Sequence, residues 1–157
     1  MSHSLQTYLQ DHLAGATHAI NLLHWMKHTH GDDLIGAFVT DLVAEIEKDR
    51  EVLTRIADHV GAEESAVKQA GAWSSEKVSR LKLSDHGATG LGTFEALEFL
   101  VLGIHGKLAL WRALAILAQT DSRLADFDFE HLASRARTQE ASVDALRLQI
   151  APAVFGG

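Results

Sequence analysis

Apolar residues recur every three or four positions along most of the chain. Over residues 4–30 they are Leu5, Tyr8, Leu9, Leu13, Ala16, Ile20, Leu23 and Met26, a spacing that lines one face of a helix. Gly31 followed by Asp32 and Asp33 reads as a stop and then a start, because glycine suits the position after a helix and aspartate the cap before one. A second segment, residues 33–60, keeps Ile35, Phe38, Val39, Leu42, Ile46, Leu53, Ile56 and Val60 in phase, and Gly61 ends it. A looser third segment, residues 63–81, carries Val67, Ala70, Trp73, Val78 and Leu81; Gly71 and two serines interrupt it, which predicts a shorter helix. Residues 84–92, with Gly87, Gly90 and Gly92, predict a loop. The fourth segment starts after Thr93 as N-cap, with Glu95 in its first turn, and runs to residue 119. The fifth begins near Asp126 or Asp128 and runs to Ile150, with Leu132, Ala136, Val143, Leu146 and Ile150 in phase. No segment alternates with period two, so no sheet is predicted.

Four helices of roughly 22–28 residues span about 33–42 Å each. Short joins between long helices predict an all-α, up-and-down four-helix bundle forming one domain over residues 1–157. The connection from the second segment to the fourth is longer and holds the extra short helix. A long middle crossover of that kind belongs to ferritin-like topologies.

Composition sharpens this picture. Cys is absent, which excludes a disulfide scaffold, a thiolate metal site and a cysteine nucleophile. The single proline, Pro152, lies near the C-terminal end, so no earlier helix is broken by one. A formal net charge of −7 argues against a nucleic-acid partner. The first residues lack a basic stretch followed by an apolar one, and the apolar run over residues 101–118 is interrupted by His105, Lys107 and Arg112. The expectation is a cytoplasmic protein without a membrane partner. No P-loop, dinucleotide-binding, G-x-S-x-G or H-E-x-x-H motif occurs.

The candidate chemistry lies where polar residues fall in core phase. Asp49 sits on the stripe set by Leu42, Ile46 and Leu53, with Glu45 one turn before it on its edge. With Phe94, Val101, Leu108 and Ala115 as the inner stripe of the fourth segment, Glu98 and His105 fall on it and Glu95 lies close by. His12 lies among Leu9, Leu13 and Ala16, and Gln139 between Ala136 and Val143, with Glu140 beside it. Carboxylates buried without partners are very costly, so these must pair with a cation, share protons or hold a metal. The metal-ligand candidates are therefore His12, Glu45, Asp49, Glu95, Glu98, His105 and Glu140. Oxygen and imidazole donors of this type suit Fe or Mn. The alternative is a polar layer of ion pairs, with Asp49 held by Lys48, Arg50 or a neighbouring helix, and Glu98 by Lys107 or Arg112.

Six of the ten histidines, His3, His12, His18, His24, His28 and His30, fall in the first 30 residues. They read as exposed residues favoured by a helix C-terminus, although the His24–His28 spacing also allows chelation in the manner of a hemerythrin-like binder. The helical glycines Gly15, Gly103 and Gly106 predict close helix approach and leave room for a small pocket beside His105. Trp25, Trp73 and Trp111 read as core or interface anchors, and Trp25 and Trp111 at an exposed edge of the bundle point to a homodimer.

Asp11-His12, Glu45-Ile46-Glu47-Lys48-Asp49, Phe94-Glu95-Ala96-Leu97-Glu98 and Gln139-Glu140 together make the chain resemble the ferritin-like superfamily, over nearly its whole length. The resemblance implies a four-helix bundle with facing carboxylates and histidines around iron or manganese. The superfamily's Glu-x-x-His pairs are missing: Lys48 stands three residues after Glu45, and Val143 three after Glu140. Two functions follow. One is a metal-binding ferritin-like protein. The other is a metal-free helical stress or interaction module with a buried polar network.

Overall fold

The computed structural model describes residues 3–61 and 90–156, and every regular element among them is helical. Helix α1 spans His3–His30, α2 spans Leu34–Val60, α3 spans Leu91–Leu117 and α4 spans Phe129–Phe155, with a single 3-10 turn at Ser122–Leu124 between α3 and α4. The short helix expected over 63–81 and all but the last residues of the expected loop over 84–92 lie outside the described residues.

The turn from α1 to α2 follows the expected chemistry. Gly31 takes the left-handed conformation (φ 58°), and the Asp33 carboxylate accepts the Gly36 N–H at 2.9 Å as the cap of α2. Gly36 is required sterically, since a Cβ there would lie 1.9 Å from the Gly31 carbonyl oxygen. At the other end of α2, Gly61 (φ 80°) supplies the left-handed C-cap.

The last two helices depart from expectation at their ends. Helix α3 begins at Leu91 behind Gly90 (φ 69°), so Thr93 is inside the first turn rather than capping it. Its buried hydroxyl is committed elsewhere, 2.8 Å from His30 Nε2. Helix α4 is capped by Asp128, which accepts the His131 N–H, and continues through Pro152 to Phe155. Pro152 has no N–H to give to the ladder, and the helix ends three residues beyond it.

The connections fix the direction of each helix. His30 at the end of α1 meets Thr93 at the start of α3, whereas Gln6 at the start of α1 donates to the Gly61 carbonyl. Arg123, just beyond α3, donates to the Val60 carbonyl at the end of α2. Helix α1 therefore runs up, α2 and α3 down, and α4 up. Gly61 and Gly90 stand at opposite ends of the bundle.

Two helical pairs build the molecule: α1 packs along α2, α3 along α4, and α1 meets α3 more sparingly. Between them lies one apolar core, with Leu9, Leu22, Leu23 and Met26 from α1, Val39 and Ile56 from α2, and Leu97, Leu100, Leu110, Trp111 and Leu114 from α3 fully buried. Helix α3 is apolar on nearly every side. Its inner stripe is Leu97, Leu100, Ile104, Leu108 and Trp111; Phe94, Val101 and Ala115, expected to lead inward, are only half-buried. By length and composition α3 is long and apolar enough to cross a membrane, despite His105, Lys107 and Arg112, and a third of its most apolar window is buried in the bundle.

Candidate functional site

Halfway along the bundle, three helices each bring a polar side chain into the apolar interior. Asp49 comes from α2, one turn beyond Ile46 and one before Leu53, on the stripe that amphipathic α2 buries. Gln139 comes from α4, between Ala136 and Val143. Lys107 comes from α3, between Ile104 and Trp111. Asp49 is 3 % exposed and Gln139 2 %.

These three side chains close a ring of hydrogen bonds. Lys107 Nζ donates to Asp49 Oδ2 at 2.8 Å and to Gln139 Oε1, and Gln139 Nε2 donates to Asp49 Oδ2 at 3.0 Å. The second carboxylate oxygen, Asp49 Oδ1, faces Arg135 Nη2 at 3.3 Å. Arg135 also reaches the Glu45 carbonyl, while its Nε is buried without a partner among the described residues. Burial pushes the Lys107 ammonium below the ordinary lysine pKa and Arg135 adds to that push; Asp49 and Glu45 pull against it. With Lys107 and Gln139 on one oxygen and Arg135 facing the other, the Asp49 carboxylate has a partner on each side, which answers the cost of burying it.

The sequence candidates are placed as follows. Asp49 is at the centre. Glu45, one turn away, is exposed. His105 and Glu140 meet across α3 and α4, Nδ1 to Oε1 at 3.1 Å, with the imidazole largely exposed. Glu98 is also exposed, and its nearest cation is Arg147 at 3.7 Å, in place of the expected Lys107 or Arg112. Glu95 is half-buried near the top of α3. His12 is half-buried on α1, edge-on to Tyr8 at 4.7 Å between ring centres. Burial lowers its pKa against the opposing pull of Asp11. Among the described residues no three His, Asp or Glu side chains form a group able to hold a metal ion.

Lys107 and Arg135 are the residues that sequence reasoning missed as partners of Asp49. The available signal was Lys107 itself, a lone cation on the stripe shared by Ile104 and Trp111. The α1 histidines also divide: His24 and His28 are exposed, but His18 is buried, and His30 bridges Asp33 and Thr93.

Beside the ring, between α1, α2 and α3, is a cavity of about 130 Å³. Asp49 and Lys107 form part of its wall, with His12, His18, Gly15 and Gly103 among the others. The space lies on this side of α3, away from the pocket expected beside His105. Among the described residues nothing lies within 4 Å of where Cβ atoms at Gly15, Gly103 and Gly106 would be, so close approach of the described helices does not account for them. Comparison with known proteins gives no match to a family model, a curated protein or a solved structure.

Proposed function

We propose that this chain is a ferritin-like bundle that works without a metal, as a helical binding or interaction module whose central cation is its own Lys107. One observation carries the reading: the Lys107 ammonium sits between Asp49 and Gln139 and is hydrogen-bonded to Asp49, the one buried carboxylate among the described residues. Gly61 and Gly90 at opposite ends support the ferritin-like part, because a connection along the bundle distinguishes that topology. Leu102 and Ile116, 66 % and 65 % exposed on α3, support a homodimer.

Elemental analysis of untagged protein tests the reading. The expected result is less than about a tenth of an equivalent of Fe, Mn or Zn, with no rise in melting temperature when these ions are added. Glu98→Gln is expected to fold as the parent does. A near-stoichiometric metal whose stabilisation disappears in Glu98→Gln or Asp49→Asn overturns it in favour of the metal-binding function.

A further inference from the structure

We propose that the outward face of α3 is a docking seam for the α3 of a second copy of this chain, laid antiparallel along it. The seam gives the homodimer proposed above its interface, and so rests on that reading. A helix apolar nearly all round needs cover on every side, and the bundle buries only part of α3. On the outward side Phe99, Leu102, Gly106, Ala109, Ala113 and Ile116 follow one another at spacings of three and four. Phe99 and Gly106 are half-buried and the others exposed. This is the a/d repeat by which two helices pack as a coiled coil. It is a second stripe, separate from the one through Leu97, Ile104 and Trp111 that faces the core.

Side-chain size and charge choose the occupant and its direction. Ile104 is the midpoint of Leu91–Leu117, and with a two-fold axis there two antiparallel helices overlap for about 40 Å. Phe99 then meets Ala109 of the partner subunit, and Leu102 meets Gly106 of the partner subunit, with the reverse pairs beyond the axis. Each of these layers sets a large side chain against a small one. Parallel helices would set Phe99 on Phe99 and Gly106 on Gly106, a clash at one level and a gap at another. The edge of the seam agrees. Glu98, His105 and Arg112 stand seven residues apart along it, all exposed. An antiparallel two-fold pair brings that edge against itself, so Glu98 falls opposite the partner's Arg112 on both sides of the axis. In a parallel pair the same edge faces Gly103 and Leu117. In a lipid bilayer Glu98 and Arg112 would be costly.

The chain has no cysteine, which makes disulfide trapping specific. Phe99→Cys and Ala109→Cys concern positions about 15 Å apart along one helix, too far to bridge. Oxidised with diamide, a mixture of the two variants should give a covalent dimer, and neither variant alone should. The native protein should sediment as a dimer with a Kd on the order of micromolar. At low salt Glu98→Arg or Arg112→Glu should weaken that dimer about fivefold or more, and the double exchange should restore it. A dimer that ignores the thiol pairing or the charge exchange overturns this interface and leaves the homodimer standing. So does cross-linking of either cysteine variant with itself, the mark of a parallel pair. A protein still monomeric at about 100 μM overturns the interface and the homodimer together, whether or not it floats with phosphatidylcholine vesicles as a lipid-seeking face would. Metal content enters none of these readouts.

Discussion

Gly36 has no room for a side chain because the Gly31 carbonyl oxygen occupies the place of its Cβ. Glycine inside the first turn of α2 is the condition for so tight a return from α1. Gly36→Ala should therefore cost about 2 kcal/mol or more, as backbone clashes at special positions do, and urea unfolding would measure the loss. His12 makes a prediction in pH. Its folded pKa lies below 6.5 because of burial, so the unfolded chain takes up this proton at higher pH than the folded one. Its contribution is whole above pH 6.5 and declines as pH falls from 6.5 toward the lowered folded value. His12→Gln should flatten the fall in melting temperature between pH 7 and pH 5.5; an unchanged slope would place the titration elsewhere. At this scale Asp33 as cap, Gly31 and Gly61 as stops and Asp49 as a buried acid were all legible, since each obeys local geometry or a clear stripe.

Helix by helix, legibility followed amphipathicity. Helix α2 has one clear apolar face, and its phase could be read directly, placing Asp49 inside and Glu45 at the edge; the structure then turns Glu45 out. Helix α3 is apolar nearly all round, so its periodicity does not choose an inner face. The stripe through Phe94 and Val101 was as good a sequence pattern as the true one through Leu97, Leu100, Ile104 and Trp111. That ambiguity carried Glu98 and His105 inward on paper, when both are exposed, and hid Lys107. The glycines of α1 and α3 make a prediction at this scale. With nothing among the described residues within 4 Å of a Cβ at Gly15 or Gly103, alanine at either should raise stability by up to about 1 kcal/mol through helix propensity alone. Thermal melts of the two single variants would check it, and a loss of stability would show that the glycines meet packing.

Across the whole molecule, the ring of Asp49, Lys107 and Gln139 ties one helical pair to the other, since Asp49 belongs to α2 and its partners to α3 and α4. Lys107→Met should cost about 3–5 kcal/mol, because it leaves a buried carboxylate short of a counter-charge. Adding Asp49→Leu to Lys107→Met should recover much of that loss, because replacing a buried pair by apolar groups is often neutral or stabilising. Double-mutant analysis of urea unfolding would give the coupling. These long-range partnerships could not be read from the chain, as they depend on which helices lie side by side and at what height. An ammonium at the centre also differs from a metal ion in its supply. It is translated with the polypeptide, needs no delivery or loading step, and no chelator or starvation can remove it, so every folded copy is born with its core charge in place.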